Sequence, residues 1–227
     1  MQAEVFLLIA MARVSEVHVQ PLVIAHERIA ERRQEISHEA MRSTRLDEYH
    51  RAMSISAFIV PVPSAEALVG DLRRRFDATT ELGVPAHITV LVPFMDPRHI
   101  TPAVLERAQS VLNTVAAFSF SLNTVACFPT TAYVAPQPAE PFIRMTKALV
   151  EAFPDFQPYG GEHQGIVPHL TVAHGDAAEA SAVAAEVQSR LDAFGAVGAN
   201  CTSVVLIENS TGRWEELHVF DLPKGER

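Results

Sequence analysis

One short pattern occurs twice in this chain, and it constrains the fold more than any other feature. The first copy is Pro85-Ala86-His87-Ile88-Thr89-Val90 and the second is Val167-Pro168-His169-Leu170-Thr171-Val172. Each reads His-aliphatic-Thr-aliphatic with a proline just upstream. Side chains alternate faces along a strand, so His87 and Thr89 share one face while Ile88 and Val90 share the other. His169 and Thr171 are related in the same way to Leu170 and Val172. The aliphatic faces suit burial against helices, and the polar faces suit a cleft. If the two halves are related by a pseudo-two-fold axis, two histidines and two threonines meet around one small volume.

The rest of the chain reads as strands and helices in alternation. Ile55 to Val62, Pro85 to Val92, Phe118 to Phe128 and Thr131 to Ala135 read as strands. Helices are expected from Ser64, as an N-cap, to about Ala78, and from the Thr101-Pro102 cap to about Ala116. The grammar then repeats. A helix runs from about Glu140 to Phe153, a Pro/Gly/Tyr loop from Pro154 to Gly165, and a strand from Val167 to Ala173. Asp176 caps a helix to about Phe194, with Glu179 at the capping-box position. Two last strands, Ala199 to Glu208 and Arg213 to Asp221, flank the turn Asn209-Ser210-Thr211-Gly212. Several strands are joined by short turns, which favours an α+β fold with antiparallel pairing over a doubly wound parallel sheet.

Residues 1–51 read differently. Residues 26–50 carry many charges of both signs and too few apolar positions for a core stripe. They are expected to be a loosely attached N-terminal extension, or the product of a translation start set upstream of the real one. The functional domain is expected over residues 52–227, as two lobes with a repeat boundary near 129–140. The run Val5 to Ala12 has no cationic residue before it, so a secretory signal is not expected, and no apolar run is long enough for a transmembrane helix.

The polar faces suit hydrolysis of a phosphodiester. In-line displacement needs a base for the attacking water and an acid for the leaving oxygen, on opposite sides of phosphorus. Two imidazoles supply both near neutral pH, because their unperturbed pKa is about 6.5. Threonine hydroxyls can donate to the non-bridging oxygens. No carboxylate cluster for a divalent cation accompanies the motifs, so neither metal nor cofactor is expected.

Charge narrows the substrate. Lys and Arg total 18 against 27 Asp and Glu, for a net charge of −9, and most of the acidity lies after residue 50. A protein that grips long nucleic acid leans basic. The expected partner is therefore a small nucleotide diester or a single RNA 3′ end, without extended nucleic-acid binding and without a membrane. Cys127 and Cys201 form no framework, which suits a reduced, cytoplasmic protein; a single disulfide stays open. A monomer is expected.

The chain resembles the 2H phosphoesterase superfamily, and within it the 2′-5′ RNA ligase-like proteins. The resemblance spans about residues 52–222 and rests on His87-Ile-Thr-Val-Leu-Val-Pro-Phe94, Pro168-His169-Leu-Thr-Val-Ala173 and the order of elements between them. It implies a bilobal α+β fold, with antiparallel sheets lining a central cleft and helices outside. It also implies metal-independent cleavage of a 2′,3′-cyclic phosphate that leaves a 2′-phosphate. By that resemblance His87 would donate the proton to the leaving oxygen, His169 would accept one from water, and Thr89 and Thr171 would bind phosphate. Near-identity of the two motifs leaves acid and base unassigned on the residues alone. Ligation, the reverse reaction, needs two RNA ends held together, for which an acidic chain is poorly equipped.

Two other function classes stay open. One is a non-catalytic module that binds a nucleotide or RNA-end phosphate through the same motifs. The other is a metal-dependent hydrolase using His163 and His174 with the two motif histidines, although that set lacks compact ligand spacing. His174 falls on the opposite strand face from His169, which reads as structural or exposed. Among the aromatic residues Tyr159, in the Pro/Gly loop, is the candidate for stacking on a base, while Phe94, Phe128 and Trp214 read as core. Arg73-Arg74-Arg75 reads as a solvated helix end favoured by the helix dipole. Arg98 and Arg144 are further phosphate candidates.

Overall fold

A computed structural model describes residues 54–161 and 165–225. Residues 1–51 and His163 lie outside them. Among the described residues eight strands form two antiparallel four-stranded sheets, and four α-helices of more than one turn pack on them.

The element order is β1 (Ser56–Pro61), α1 (Glu66–Phe76), β2 (His87–Phe94), α2 (Pro102–Leu112) and β3 (Phe118–Phe128). It starts again with β4 (Thr131–Gln137), α3 (Glu140–Ala152), β5 (Leu170–His174) and α4 (Ala177–Phe194), then β6 (Val197–Cys201), β7 (Ser203–Glu208) and β8 (Glu215–Asp221). The first sheet has the order β2-β1-β7-β8 and the second β5-β4-β3-β6. Each motif strand is thus an edge strand, paired with the strand before it in sequence. The exchange between halves is reciprocal: β3 joins the sheet of β5, and β7 joins the sheet of β1. The helices cross over in the same sense, α1 packing on β5 and α3 on β2. The expected α+β class with antiparallel sheets is the architecture found.

Burial explains the element types. β1 has both edges paired, to β2 and β7, and an apolar cluster on each face, so its sequence is almost wholly apolar. Phe58 and Val60 face the main core with Ile88, Val90 and Phe94 of β2. Ala57 and Ile59 face the other side, in a smaller cluster with Val92, Val205, Ile207 and Trp214. The main core runs without a break from the first sheet through the helices to Leu122, Val134, Leu170 and Val172 of the second. The edge of β2 is covered from α3, where the Thr146 hydroxyl donates to the Val90 carbonyl at 2.7 Å.

Of the three side-chain caps expected, those of Thr101 and Asp176 are found and that of Ser64 is not. Thr101 accepts from the Val104 amide, and Asp176 accepts from the Glu179 amide at 2.8 Å. Ser64 is not a cap. It lies in a short 3₁₀ turn over Pro63–Ala65, and its hydroxyl donates to the Gly198 carbonyl at 3.2 Å. The stretch read as one strand from Ala199 to Glu208 is two. It breaks at Thr202, so that β6 pairs with β3 and β7 with β1. Among the described residues no helix is long and apolar enough to cross a membrane, and both cysteines are free.

Candidate active site

His87 opens β2, and His169 stands one residue before β5. These two edge strands touch, which brings the motifs together. In the first sheet His87 is cross-strand from Pro61 and Thr89 from Ile59, and Ile59 is in turn opposite Val205. Directly opposed residues share a face, so His87 and Thr89 lie on the side of Ala57, Ile59, Val205 and Ile207. In the second sheet Thr171 is cross-strand from Tyr133.

Both imidazoles are held by the same local device. His87 Nδ1 lies 2.8 Å from the Pro85 carbonyl oxygen, and His169 Nδ1 lies 2.7 Å from the Val167 carbonyl oxygen. A carbonyl only accepts, so each Nδ1 carries the proton and each Nε2 is left as the basic nitrogen. His87 Nε2 is 3.1 Å from Thr89 Oγ1, which donates to it. His169 and Thr171 are almost fully buried, whereas His87 and Thr89 are half-buried.

The electrostatics hold both rings neutral. Burial pushes the His87 pKa down to about 4, the Arg73 guanidinium lowers it further in the same sense, and His169 adds to the effect; the Pro85 carbonyl and Asp77 oppose it. Burial also lowers the pKa of His169, with the Val167 carbonyl opposing. Both directions follow from the cost of placing a charge away from water.

Arg73 corrects the reading of the basic run as a solvated face. Arg74 and Arg75 are exposed, but Arg73 is 1% exposed and reaches Asp77 at 2.8 Å. Its helical spacing gave the signal: Arg73 follows Val69 by four residues and Leu72 by one, so it falls on the buried stripe of α1.

Phe128 is likewise not core. It is half-buried, stacks on Tyr133 at a centroid distance of 4.5 Å, and meets His169 edge-on at 5.2 Å. Its position beside the β3–β4 turn, next to Pro129, was the available signal. Phe94 and Trp214 are core, as expected. Tyr159 is half-buried in the turn at Pro158–Gly161, where its φ is 54°, and packs with the cluster of Ile59, Val92 and Trp214, on the face that carries Thr89. His174 has the structural role expected of it, with Nδ1 2.8 Å from Thr131 Oγ1. Arg98 pairs with Asp96, and Arg144 is exposed on α3. Among the described residues no three His, Cys, Asp or Glu side chains converge as a metal cage.

The model of the 2′-5′ RNA ligase superfamily matches residues 60–213, which include both motifs. Among solved structures, TT0787 of Thermus thermophilus is similar over 76% of this chain and 100% of that one, with 16% identity and a TM-score of 0.49. E. coli LigT complexed with 3′-AMP is similar over 75% of this chain and 99% of that one, with 12% identity and a TM-score of 0.44. Comparison with curated proteins finds none that matches. With its two motifs on touching edge strands and a family match across both, the chain belongs to the 2′-5′ RNA ligase superfamily.

Proposed function

We propose that this protein is a metal-independent phosphodiesterase that hydrolyses the 2′,3′-cyclic phosphate of a small nucleotide or a single RNA end. The observation that carries the reading is the repeated clamp. Each histidine has its Nδ1 bound to the carbonyl two residues earlier, and each has a threonine two residues later in the sequence. The clamp presents Nε2 in both copies, as an acid–base pair acting on one phosphorus requires.

In the proposed step water attacks phosphorus and gives its proton to His169 Nε2. The bond from phosphorus to the 3′ oxygen breaks, and His87 Nε2 gives a proton to that oxygen, leaving a 2′-phosphate. The family resemblance supplies this assignment of donor and acceptor. Thr89 and Thr171 hydroxyls hold the non-bridging oxygens and stabilise the charge that develops on them. In the free site both imidazoles are neutral at pH 7. The bound phosphodiester anion favours the imidazolium and so supports the protonated donor. Phe128 offers a base a ring face backed by Tyr133, and Tyr159 is the stacking candidate on the side of β2.

Replacing either histidine tests the reading. His87→Ala and His169→Ala should each lower turnover of a 2′,3′-cyclic nucleotide by about 10²–10⁴-fold, the usual contribution of a positioned acid or base. The circular dichroism spectrum should be retained. Wild-type turnover in either variant would overturn it. Tight binding of a 2′-phosphate without turnover by the wild type would favour the phosphate-binding module instead.

A further inference from the structure

The three residues that lead into His87 have every backbone polar group occupied. The Val84 amide donates to the Thr79 carbonyl at 3.1 Å, and the Val84 carbonyl accepts from Arg73 Nη2 at 3.3 Å. Pro85 has no amide proton, and its carbonyl accepts from His87 Nδ1. The Ala86 amide donates to Glu66 Oε1 at 2.9 Å, and the Ala86 carbonyl accepts from the Val62 amide at 2.7 Å. Two of these partners, Glu66 and Arg73, are side chains of α1, two turns apart, and they are 3.7 Å from each other.

Arg73 is fixed in turn. Its Nε and Nη2 donate to Asp77 Oδ2 at 3.2 and 2.8 Å. Asp77 Oδ1 accepts from the Thr79 amide and hydroxyl at 3.0 and 2.6 Å. A buried ion pair is weak grounds for stability, because desolvation offsets most of its attraction. Its placement here has a positional consequence. The bonds from α1 bracket Pro85, whose carbonyl sets the ring orientation and tautomer of His87. The rings against His169 are instead Phe128 and Tyr133. Two motifs nearly identical in sequence are supported differently.

We propose that Glu66 and Arg73 are positioning residues, a polar latch from α1 that holds residues 84–86 so that His87 presents Nε2 to the cleft. Arg73 and Asp77, from the α1 side, and His169, from the second motif, act on the charge of His87. The kinetic arm of the test rests on the proposed phosphodiesterase reading, and the spectroscopic arm does not.

The experiment uses the full chain labelled with ¹⁵N-histidine, with His87 assigned by the resonance lost in His87→Gln. The wild type should show His87 as the Nδ1–H tautomer. Glu66→Ala, at a side chain 43% exposed, should mix the tautomers and lower kcat on a cyclic phosphate about tenfold with little change in KM, since small misplacements of a catalytic group are costly. Glu66→Gln keeps the acceptor oxygen and should restore both. Arg73→Gln with Asp77→Asn, a neutral pair that removes the guanidinium held on the Val84 carbonyl, should mix the His87 tautomers in the same way. An unchanged tautomer in Glu66→Ala, or in the double variant, would overturn the latch. A wild type that turns over no cyclic phosphate would overturn the catalytic reading while the tautomers still decide the latch.

Discussion

The Phe128 ring meets the His169 imidazole edge-on, with centroids 5.2 Å apart and planes at 84°. Tyr133 backs Phe128 from behind, at an interplanar angle of 30°. A base stacked on an aromatic side chain gains about 1–3 kcal/mol. Phe128→Ala should therefore raise KM for a 2′,3′-cyclic nucleotide roughly tenfold. KM for ribose 2′,3′-cyclic phosphate, which has no base, should be unchanged. Equal losses on both substrates would show that the ring supports His169 rather than the base.

Thr89 and Thr171 differ in burial but have the same proposed role. Thr89→Val and Thr171→Val keep the shape and β-branching of the side chain while removing the hydroxyl. Each should lower kcat by about 10²-fold or more if its hydroxyl stabilises charge on the phosphate oxygens, the size expected for one lost donor. Thermal melting should show both variants folded. A rise in KM at constant kcat would assign the hydroxyls to ground-state binding alone.

The lowered histidine pKa values give two signatures of pH. The first is kinetic: kcat/KM should trace a bell whose maximum lies on the acid side of pH 6.5, because the free enzyme's limbs report His87, at about 4, and His169, also lowered. The second is thermodynamic. Between about 4 and 6.5 the unfolded chain binds a proton at this position that the folded protein excludes, so stability falls as pH drops through that window. Urea midpoints at pH 7 and pH 5 should differ more for the wild type than for His87→Asn. An equal difference in both proteins would contradict the lowered pKa of His87.

The Arg73–Asp77 pair should be costly to break from one side. Arg73→Met leaves Asp77 buried with no cation and should destabilise the fold by about 3–5 kcal/mol. Adding Asp77→Asn removes the stranded charge and keeps an acceptor for Thr79. The double variant should recover more than half of the loss in urea denaturation. A double variant no more stable than Arg73→Met would show that packing of the guanidinium, rather than the unpaired carboxylate, sets the cost.

The parts of the fold written in local chemistry were readable from the sequence. Period-two alternation placed His87 and Thr89 on one face of a strand, and the side-chain oxygens of Thr101 and Asp176 marked two helix starts. What depends on distant partners was not readable. Nothing between Ala199 and Glu208 announces that the ladder changes sheets at Thr202, because the pairing is with β3 on one side and β1 on the other. His169 precedes its strand because the ladder between β4 and β5 ends at Val134 opposite Leu170. Arg73 was hidden by its neighbours: three consecutive arginines suggest solvent, and only the four-residue spacing from Val69 separates the buried one. The Phe128 ring meets His169 only once β3, β4 and β5 are assembled.

In the proposed reaction two histidines and no metal break a cyclic phosphodiester. The direct test is ³¹P NMR of a 2′,3′-cyclic mononucleotide incubated with the wild-type protein in excess EDTA. The cyclic resonance should be lost steadily and a single 2′-phosphate resonance should grow at the rate seen without chelator. Arrest by EDTA with recovery on adding a divalent cation would contradict it, as would a product carrying the phosphate on the 3′ oxygen.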